Sequence, residues 1–309
     1  MEKLIVGKAP HFHSHNSSQR IMLDVVIALL PAAVAAVVIF GMKALVIEIA
    51  CVLSAVASEF LFNLICKKPQ TIADFSAVVT GLLLALNLST NVEIWQCVVG
   101  SVFAIIVVKC LFGGLGKNFA NPAIASRVFM LLAFSSVAGG AMPKDPELAT
   151  SATPLELIKN GAELPELKNM LFGLRGGTIG ESCIIALLIG FAYLLIRKVI
   201  KWHTPVIFIA TVFVLFLVFT GSFNTALYEI LSGGLFLGAI FMATDYVSTP
   251  ITDRGKMVFA LGCGIITFII RHFCAYPEGV SFSILIMNIL TPYIEKYTAS
   301  TPIGGVKHV

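Results

Sequence analysis

The fold class is decided by the stretch Pro205-Val-Ile-Phe-Ile-Ala-Thr-Val-Phe-Val-Leu-Phe-Leu-Val-Phe-Thr220. It is apolar on every face of the helix that it would form, whereas a surface helix of a soluble protein keeps one polar face. The whole chain is 58% hydrophobic and 12% charged, against about 25% charged residues in soluble domains. These observations predict an all-α integral membrane protein and exclude a soluble helical bundle.

Apolar stretches of similar length recur along the chain. A helix needs about 20 apolar residues to cross the hydrocarbon core of a bilayer. About ten transmembrane helices are predicted, at residues 21–40, 44–66, 73–88, 94–111, 128–142, 180–196, 205–220, 226–243, 256–273 and 280–297. The third and the fifth of these spans are short for a complete crossing. The fold class is therefore a polytopic membrane protein.

Two pairs of segments indicate that the ten spans form two halves of five. Residues 100–109 align with residues 262–271, with glycine on glycine at the start and a cation on a cation at the end. Residues 81–87 resemble residues 238–245 with a shift of one residue. Because each half has an odd number of spans, the repeats would be inverted. Such repeats place ion and substrate sites near the bilayer midplane, at short or broken helices such as the third span and the interrupted eighth.

The distribution of Lys and Arg predicts the orientation, because cytoplasmic loops carry an excess of both. With the N-terminus inside, 15 of the 21 basic residues fall on the cytoplasmic side. Both termini are then cytoplasmic and the longest loop faces outward. The predicted organisation is a cytoplasmic arm, a first five-helix half, an extracytoplasmic loop, a second five-helix half and a cytoplasmic tail, at residues 1–20, 21–142, 143–179, 180–298 and 299–309.

Other classes of function find little support in the composition. The net charge of +4 follows from the cytoplasmic excess and gives no reason to expect nucleic-acid binding. The seven cysteines include no C-x-x-C pair, so the chain shows no iron–sulfur or zinc framework. His11, His13 and His15 have no accompanying carboxylate or cysteine, and we interpret them as solvated residues of the arm rather than as a metal site.

Polar residues follow one another along the short third span. Asp74, Ser76, Thr80 and Asn87 place oxygen atoms along one helix, as a path for Na⁺ or H⁺ would require. Asp74 at the start of the helix equally predicts an N-terminal cap, which needs no ion. Both interpretations stay open at this point. Asp74, Thr80 and Asn87 are therefore candidate ion-path residues.

Further acids lie within the predicted spans. Glu48 and Glu59 are about three turns apart on one face of the second span. A carboxylate at membrane depth costs ~2.5–3.5 kcal/mol on insertion scales, so it faces a partner or a pathway. Glu48, and Asp245 near the end of the eighth span, join the candidate ion path. Glu229 and Asn288 are additional polar groups within spans.

A glycine-rich segment, Leu111-Phe-Gly-Gly-Leu-Gly-Lys-Asn-Phe-Ala-Asn-Pro-Ala123, joins the fourth and fifth spans. Its composition is typical of a simple loop. Glycines also let backbone amides approach a ligand ring or phosphate, so Gly113, Gly114 and Asn118 are candidate cofactor-binding residues. The segment is not a dinucleotide fingerprint, because G-x-G-x-x-G after a strand is absent from it.

The long outer loop carries the run Thr150-Ser151-Ala152-Thr153-Pro154-Leu155. Thr153 is predicted to be the N-cap of a short helix that runs to Lys159. Pro154 would stand at the first helical position and Glu156 at the third. A helix N-terminus also stabilises phosphate, so this geometry is compatible with a phosphoester on the Thr153 hydroxyl.

Five parts of the chain together resemble a family of membrane subunits from ion-pumping flavoprotein oxidoreductases. They are similar to the RnfD subunit of the Rnf complex, a ferredoxin:NAD⁺ oxidoreductase, and more distantly to the NqrB subunit of the Na⁺-pumping NADH:quinone oxidoreductase. In chain order they are residues 9–15 with 20–31, 74–88, 113–123, 149–155 and 241–250.

The resemblance implies that FMN is joined through its phosphate to the hydroxyl of Thr153. The attachment pattern of the family is Asp, then Ser or Thr, Gly, Ala and Thr. It corresponds here to Glu147, Thr150, Ser151, Ala152 and Thr153, so the acceptor threonine is kept and two other positions differ. The resemblance also allows a second, non-covalent flavin such as riboflavin.

The resemblance further implies a complex in the cell membrane, with other membrane, flavoprotein and iron–sulfur subunits as partners. Electrons from ferredoxin would pass towards NAD⁺ through a chain of cofactors while the complex exports Na⁺ or H⁺. Negative charge on the reduced flavin would raise the cation affinity of the ion-path residues. Ferredoxin and NAD⁺ sites need soluble domains, so the enzymatic reaction would belong to the complex and this chain would supply no catalytic residue.

Two other functions fit the same sequence features. A flavin-free secondary transporter or channel with inverted repeats is compatible with the spans and with the repeat. A structural subunit that anchors redox partners and carries no ion path is the other alternative. Covalent flavin on Thr153 would exclude the first. Coupled electron transfer after substitution of Asp74 or Glu48 would indicate the second.

Overall fold

The computed structural model describes five parts of the chain: residues 17–134, 137, 153–160, 164–274 and 278–299. Within them every regular element is helical and there is no β-strand. The three histidines of the N-terminal arm lie outside the described residues, as do Thr150, Ser151 and Ala152 of the attachment run.

The described residues fold into a series of helices: α1 (Ser18–Phe40), α2 (Met42–Ile65), α3 (Ser76–Leu86), α4 (Ile94–Val102), α5 (Pro122–Ala133), α6 (Pro154–Asn160), α7 (Leu167–Phe172), α8 (Ile184–Ile196), α9 (His203–Thr220), α10 (Phe223–Leu231), α11 (Leu235–Leu237), α12 (Asp253–Phe273) and α13 (Val280–Thr298). π-helical segments extend two of them, α4 through Phe103–Cys110 and α11 through Gly238–Met242. A 3₁₀ turn, Ile72–Asp74, precedes α3.

Four of the described helices, α1, α2, α9 and α12, are long and apolar enough to cross a membrane. The pair formed by α10 and α11 with its π-helical extension passes the same test together and is bent by 63°. The predicted interruption of the eighth span is therefore confirmed. The apolar helices α3, α4, α5 and α8 are shorter. The chain is thus all-helical with four or five clear spans in its described part, which is consistent with a polytopic membrane protein.

The fifth predicted span, 128–142, begins too late. α5 starts at Pro122 because the side chain of Asn121 accepts hydrogen bonds from the backbone amides of Ala123 and Ile124 and so caps the helix. Pro122 stands at the first helical position, where its missing N–H is of no consequence. The helix ends at Ala133. The cap lies inside the segment that the composition indicated as a loop.

The third predicted span, 73–88, is also shorter than expected. The 3₁₀ turn occupies its first residues, and Phe75 takes a left-handed backbone conformation with φ of 60°. α3 therefore starts at Ser76 and ends at Leu86. Its length is only about 16 Å at 1.5 Å per residue, about half the thickness of a bilayer core.

Exposed apolar surface distinguishes this molecule from a soluble bundle. Val34 and Val38 of α1 and Leu53 of α2 are more than half exposed, whereas Glu48 and Glu59 of α2 are buried. Soluble proteins show the opposite distribution, since their acids are almost never fully buried. An apolar exterior, with acids buried inside, fits a protein whose outer surface meets lipid.

Close contact between α2 and α3 depends on Gly81. A Cβ atom at this position would lie 2.8 Å from both the carbonyl oxygen of Cys51 and the Cα of Val52. Only glycine lets the two backbones approach so closely, as small residues do in other membrane helix pairs. α3 is therefore held firmly along α2.

The long loop predicted at 143–179 is more structured than its polar composition suggests. It includes α6 and α7, and its last part is buried. Arg175 is 1% exposed, and its Nη2 donates to the carbonyl oxygens of Glu181 at 3.3 Å and Leu231 at 2.6 Å. The amide of Gly180 donates to the carbonyl oxygen of Leu86 at 2.7 Å. These bonds fix the end of the loop against α10 and the end of α3.

Candidate ion and cofactor sites

The start of α3 lies in a network of polar side chains, here called the α3 N-terminal cluster: Glu59, Thr71, Asp74, Ser76 and Lys109. The Lys109 ammonium contacts both carboxylate oxygens of Glu59 at 2.9 Å and the hydroxyl of Ser76 at 2.6 Å. Thr71 donates a hydrogen bond to Glu59 at 2.6 Å. Glu59 and Lys109 are 1% and 2% exposed, so each compensates a charge that would otherwise be buried alone.

Asp74 binds the first backbone amide of α3, although the N-cap position itself is occupied by Phe75. Its Oδ1 accepts hydrogen bonds from the backbone amide of Ser76 at 2.8 Å and from the hydroxyl of the same residue. Ser76 thus links the Asp74 carboxylate to the ammonium of Lys109. The predicted cap is therefore displaced by one residue, since Asp74 precedes the N-cap and binds only the first helical amide. The role of Asp74 in an ion path stays a prediction.

A cavity beside α3 brings together residues from separate segments of the chain. Its lining includes Ser76 and Thr80 of α3, Lys109, Asn118 of the glycine-rich segment and Asp245. The cavity offers about 80 Å³ to water-sized molecules. One water needs roughly 10–15 Å³ by this measure, so a small ion with several waters would fit. Thr80 and Asp245, two of the predicted ion-path residues, therefore share one cavity.

Asp245 lies in the turn that follows α11 and its π-helical extension. Its Oδ2 accepts a hydrogen bond from the Ser248 hydroxyl at 2.8 Å, and its Oδ1 accepts one from the amide of Val247 at 3.3 Å. Burial raises the pKa of Asp245 above its ordinary value, and the two hydrogen bonds oppose this rise in part. A carboxyl group in such surroundings is suited to exchange a proton or a cation.

The glycine-rich segment is a loop, as its composition indicated. Gly113, Gly114 and Gly116 have φ angles of 114°, 94° and 89°, a region in which other residues are strained. Backbone geometry therefore accounts for these glycines. Asn118 is buried, and its Nδ2 donates to the carbonyl oxygen of Ala120 at 2.8 Å.

A second and larger cavity of about 380 Å³ lies next to this loop. Asn118 borders both cavities, whereas Gly113 and Gly114 line neither of them. The wall of the larger cavity combines aromatic rings with hydroxyl and amide groups, including those of Phe119, Tyr246, Ser248, Thr249 and Asn288. Of the three predicted residues in this loop, only Asn118 is placed to touch a ligand.

Thr153 forms the predicted capping box with Glu156. Its Oγ1 accepts a hydrogen bond from the Glu156 amide at 3.4 Å, and the Glu156 carboxylate accepts one from the Thr153 amide at 2.9 Å. The short helix that follows is α6, so the N-cap interpretation is confirmed. Thr153 is half-buried, and its hydroxyl donates no hydrogen bond to any described residue.

The helix after Thr153 rests against the break between α10 and α11. A Cβ atom on Gly233 would lie 2.8 Å from Cδ1 of Leu155 and 2.7 Å from Nη2 of Arg271, and the φ of Gly233 is 67°. Arg271 donates to the carbonyl oxygen of Glu229 at 2.6 Å and contacts its carboxylate at 3.3 Å. The candidate attachment segment is therefore in direct contact with the interrupted span.

Asn87 lies at the opposite end of α3 from the cavity. Its Nδ2 donates to the carbonyl oxygen of Leu83 at 2.7 Å and lies 3.7 Å from the sulfur of Met242. The side chain is 3% exposed. Asn87 is therefore separated from Thr80 and Asp245 and faces the bent pair of helices.

Glu48 stands apart from both ends of α3. It is 6% exposed, and its Oε1 has no hydrogen-bond partner among the described residues. Residues 51–55 of α2, which separate Glu48 from Glu59, are covered by Gly81 of α3. The two acids share one buried face, as predicted, but tight helix contact divides them.

Sequence reasoning did not single out four charged residues around the helix break, of which three are buried and the last is half-buried: Arg127, Arg175, Glu181 and Glu278. Arg127 is 2% exposed and contacts Glu278 at 2.8 Å. All but Arg175 stand within or just before a predicted span, at 128–142, 180–196 and 280–297. A charge at the border of an apolar span was the available signal, because such charges need a partner.

The fold and these sites define a class of protein: a helical membrane protein with buried ion pairs, a bent and broken span, and a helix-capping threonine beside the break. A family model places the chain within that class. It matches residues 5–304, and the chain belongs to the NQR2, RnfD, RnfE family. The family resemblance in the sequence is thereby confirmed.

Similar proteins cover almost the whole chain. The D subunit of the Na⁺-translocating ferredoxin:NAD⁺ oxidoreductase complex of Acetobacterium woodii is 45% identical over 98% of this chain and 96% of its own. The D subunit of the proton-translocating ferredoxin:NAD⁺ oxidoreductase complex of Clostridium ljungdahlii is 38% identical over 97% and 96%. The D subunit of the ion-translocating oxidoreductase complex of Ectopseudomonas mendocina is 34% identical over 97% and 95%.

Proposed function

We propose that this chain is the RnfD membrane subunit of an ion-translocating ferredoxin:NAD⁺ oxidoreductase complex. The observation that carries the proposal is its near-complete similarity to D subunits of complexes with that name, over 98% and 97% of this chain. Those two relatives are named for different ions, Na⁺ and protons, so their names do not select the ion for this chain. The reaction with ferredoxin and NAD⁺ belongs to the complex.

FMN is the proposed cofactor, bound covalently to Thr153. The described geometry fits such a bond, because the Thr153 hydroxyl is half-buried and engaged only as the acceptor of a 3.4 Å hydrogen bond. The capping box fixes the backbone of Thr153 whether or not the hydroxyl is esterified, since the Glu156 carboxylate binds the Thr153 amide. When bound, FMN carries electrons one or two at a time.

The covalent bond is tested by the intact mass of the denatured chain. The chain is expected to gain the mass of one FMN less one water, and Thr153→Ala is expected to lose this gain together with in-gel flavin fluorescence. Thr150→Ala is the matched control, because it removes a neighbouring hydroxyl and keeps the acceptor. An unmodified chain from cells with an active flavin transferase would contradict the proposal and favour a flavin-free transporter or channel.

A second, non-covalent flavin such as riboflavin is proposed for the larger cavity. Its volume of about 380 Å³ falls in the range of about 300–1,000 Å³ that small-molecule sites occupy. Phe119 and Tyr246 offer aromatic surface, and Asn118 and Thr249 offer polar groups. The Asn118→Ala complex should release one flavin fewer on denaturation, with covalent flavin unchanged. Equal release from both complexes would contradict this site.

The proposed architecture is ten helices in two inverted repeats of five. Two aligned glycines support it: a Cβ atom on Gly100 of α4 would collide with Met130 of α5, and one on Gly262 of α12 would collide with Met287 of α13. Each glycine thus admits a methionine from the next helix. A shared packing detail at aligned positions is unexpected for unrelated halves.

The aligned cations at the ends of these segments support the same proposal. Lys109 donates to Ser76 at the start of α3, and Arg271 donates to the carbonyl oxygen of Ser232 just before α11. Each cation also contacts a buried acid, Glu59 in the first half and Glu229 in the second. Both halves therefore anchor the start of their short helix with a buried cation.

The proposed ion path follows α3. Thr80 and Asp245 line the cavity near its start, where Asp74 binds the first amide of the helix, and Asn87 lies at its end. Glu48, with one oxygen unpartnered among described residues, is proposed as a separate protonatable group. Asp74→Asn in the complex, reconstituted into vesicles, should abolish ion transport. Transport at the unsubstituted rate would remove Asp74 from the path.

The proposed location is the cell membrane, with both termini in the cytoplasm and the Thr153 loop outside. The partners would be the other membrane, flavoprotein and iron–sulfur subunits of the complex, and no nucleic acid is expected. The exposed apolar residues of α1 and α2 support contact with lipid or with membrane subunits.

A further inference from the structure

Three side-chain oxygens converge at Gly234, where the second half of the broken span begins. A Cβ atom on Gly234 would lie 3.5 Å from Oε1 of Glu278, 3.8 Å from Oε2 of Glu181 and 4.0 Å from Oδ1 of Asn87, and these atoms are its nearest neighbours. They come from the end of α3, the turn before α8 and the residue that precedes the cap of α13. We call Asn87, Glu181, Gly234 and Glu278 the helix-break cluster.

Two of these oxygen-bearing side chains are deeply buried and have few hydrogen-bond donors. Asn87 is 3% exposed, and the Leu83 carbonyl fixes its Nδ2, so that Oδ1 points into the cluster without a donor from the described residues. Glu181 is 5% exposed and accepts hydrogen bonds from Thr178 alone, with the Thr178 hydroxyl at 3.0 Å. A buried oxygen that lacks a donor is unfavourable unless a water or an ion satisfies it. The unpartnered Asn87 oxygen therefore points to a ligand.

Two nearby arginines compensate the charge of these acids from outside the point at Gly234: Arg127 pairs with Glu278 at 2.8 Å, and Arg175 interacts electrostatically with Glu181. Arg175 and Arg271 donate to backbone carbonyl oxygens at the end of α10. Arg127 contacts Glu278 through Oε2, and this leaves Oε1 with a hydrogen bond from Ser281 at 3.2 Å. The side-chain atoms nearest to a Cβ atom on Gly234 are nonetheless carboxylate and amide oxygens.

We propose that the helix-break cluster binds a small monovalent cation, for which Na⁺ is the probe. Hard cations select carboxylate and carbonyl oxygens, and broken helices supply such sites in membrane transporters. The oxygens need to move inward by roughly 1 Å to reach the 2.3–2.6 Å typical of a hard cation, or bound water fills the difference. Because α6 packs against the neighbouring Gly233, the site would be the last one that an ion occupies before it leaves the protein on the side where Thr153 lies. That last assignment rests on the proposed function, whereas cation binding does not.

Gly234 offers a test that leaves the fold in place. Its φ of −72° suits any L-residue, and its nearest contacts of 3.5–4.0 Å are ordinary for a methyl group. Gly234→Ala is therefore expected to fold and to fill the position of the cation. Glu181→Gln removes one charge from the site. Glu229→Gln is the matched control, because it neutralises a buried acid next to the break that faces Arg271 instead.

The measurement is the thermal unfolding midpoint of the purified complete complex, in NaCl and in choline chloride of equal ionic strength. A ligand that binds only the folded state raises this midpoint. The unsubstituted complex and Glu229→Gln should be stabilised by Na⁺. Gly234→Ala should lose the part of the Na⁺ response that belongs to this site, and Glu181→Gln should need at least a tenfold higher Na⁺ concentration for it.

Two results would overturn the site: no stabilisation of the unsubstituted complex by Na⁺, or the same stabilisation in Gly234→Ala. Glu181 and Glu278 would then act only by stabilising the positive, N-terminal end of the α11 helix dipole. A different result would separate this inference from the proposed function. If Na⁺ binding depends on Gly234 but vesicles with the intact complex transport no ion, the site stands and the proposed pump fails.

Discussion

At the start of α3, the Lys109 ammonium uses its three donors on Glu59 and Ser76. At the end of the same helix, Asn87 and Glu181 have one hydrogen bond or none at the oxygens that face Gly234. In the α3 N-terminal cluster the Lys109 ammonium contacts both oxygens of the buried Glu59 carboxylate, whereas the helix-break cluster leaves acceptor positions open. Acids of this protein are thus held in two ways: Glu59 by a cation that contacts both of its oxygens, and Glu278 by an ion pair that engages Oε2 alone.

The short helix between the clusters keeps them apart. α3 spans about 16 Å, and Gly81 near its middle holds it against α2. Movement of one cluster relative to the other therefore requires either a shift of α3 along α2 or a change in the bent pair at the break. The two clusters are expected to respond very differently to substitution.

Lys109→Met is expected to have the largest effect on stability. It leaves the Glu59 carboxylate buried without its cation, which costs about 3–5 kcal/mol. The measurement is the thermal unfolding midpoint in mild detergent, and Lys43→Met, at an exposed lysine, is the control. The double substitution Glu59→Leu with Lys109→Met should recover most of the loss. A Lys109→Met protein as stable as the control would contradict this role of Lys109.

Gly81→Ala should have an intermediate effect and tests the separation of the clusters. The added methyl would lie 2.8 Å from backbone atoms of α2, and overpacking of this kind costs about 1–3 kcal/mol. Val78→Ala, at a half-buried position of the same helix, controls for general changes in α3. Comparison of their unfolding midpoints measures the effect. If the two variants are equally stable, α3 is free to move along α2.

Glu181→Gln, without added cation, should have the smallest effect, below about 1 kcal/mol. Among the described residues only Thr178 donates hydrogen bonds to the Glu181 carboxylate, and glutamine keeps an oxygen for the Thr178 hydroxyl. Glu59→Gln is the direct comparison, because it removes the charge that faces Lys109 and should cost several times more. Equal losses in the two variants, measured by thermal unfolding, would remove the distinction between the clusters.

Sequence reasoning located the helices well where one strong local signal acts. The apolar run of α9 and the capping box at Thr153 were predicted at their observed places, because both depend on neighbouring residues. The start of α5 was missed, although Asn121 and Pro122 form a recognisable cap, since hydropathy was weighed above capping. The left-handed backbone conformation of Phe75, which shortens α3, has no comparable signal in the neighbouring residues of the sequence.

The candidate sites show the same difference between signals from neighbouring residues and contacts that only the fold creates. Thr80 and Asp245 were predicted separately, but 165 positions separate them in the chain and only the fold places them at one cavity. Glu181 and Glu278 look like ordinary acids at the borders of spans. Their proximity to each other is a result of the fold, in which both face Gly234. The sequence does not distinguish this glycine from its neighbour Gly233.

By itself, the sequence determined the membrane class, the family, the capping of α6 and the choice of Thr153 as the candidate acceptor. Each depends on composition or on residues close together in the chain. Tertiary structure decided which acids are paired, as Glu59 is with Lys109, and which oxygens remain open around Gly234. The physical reason is that charge compensation inside a membrane depends on distances of a few ångströms between helices, which residue order does not encode locally.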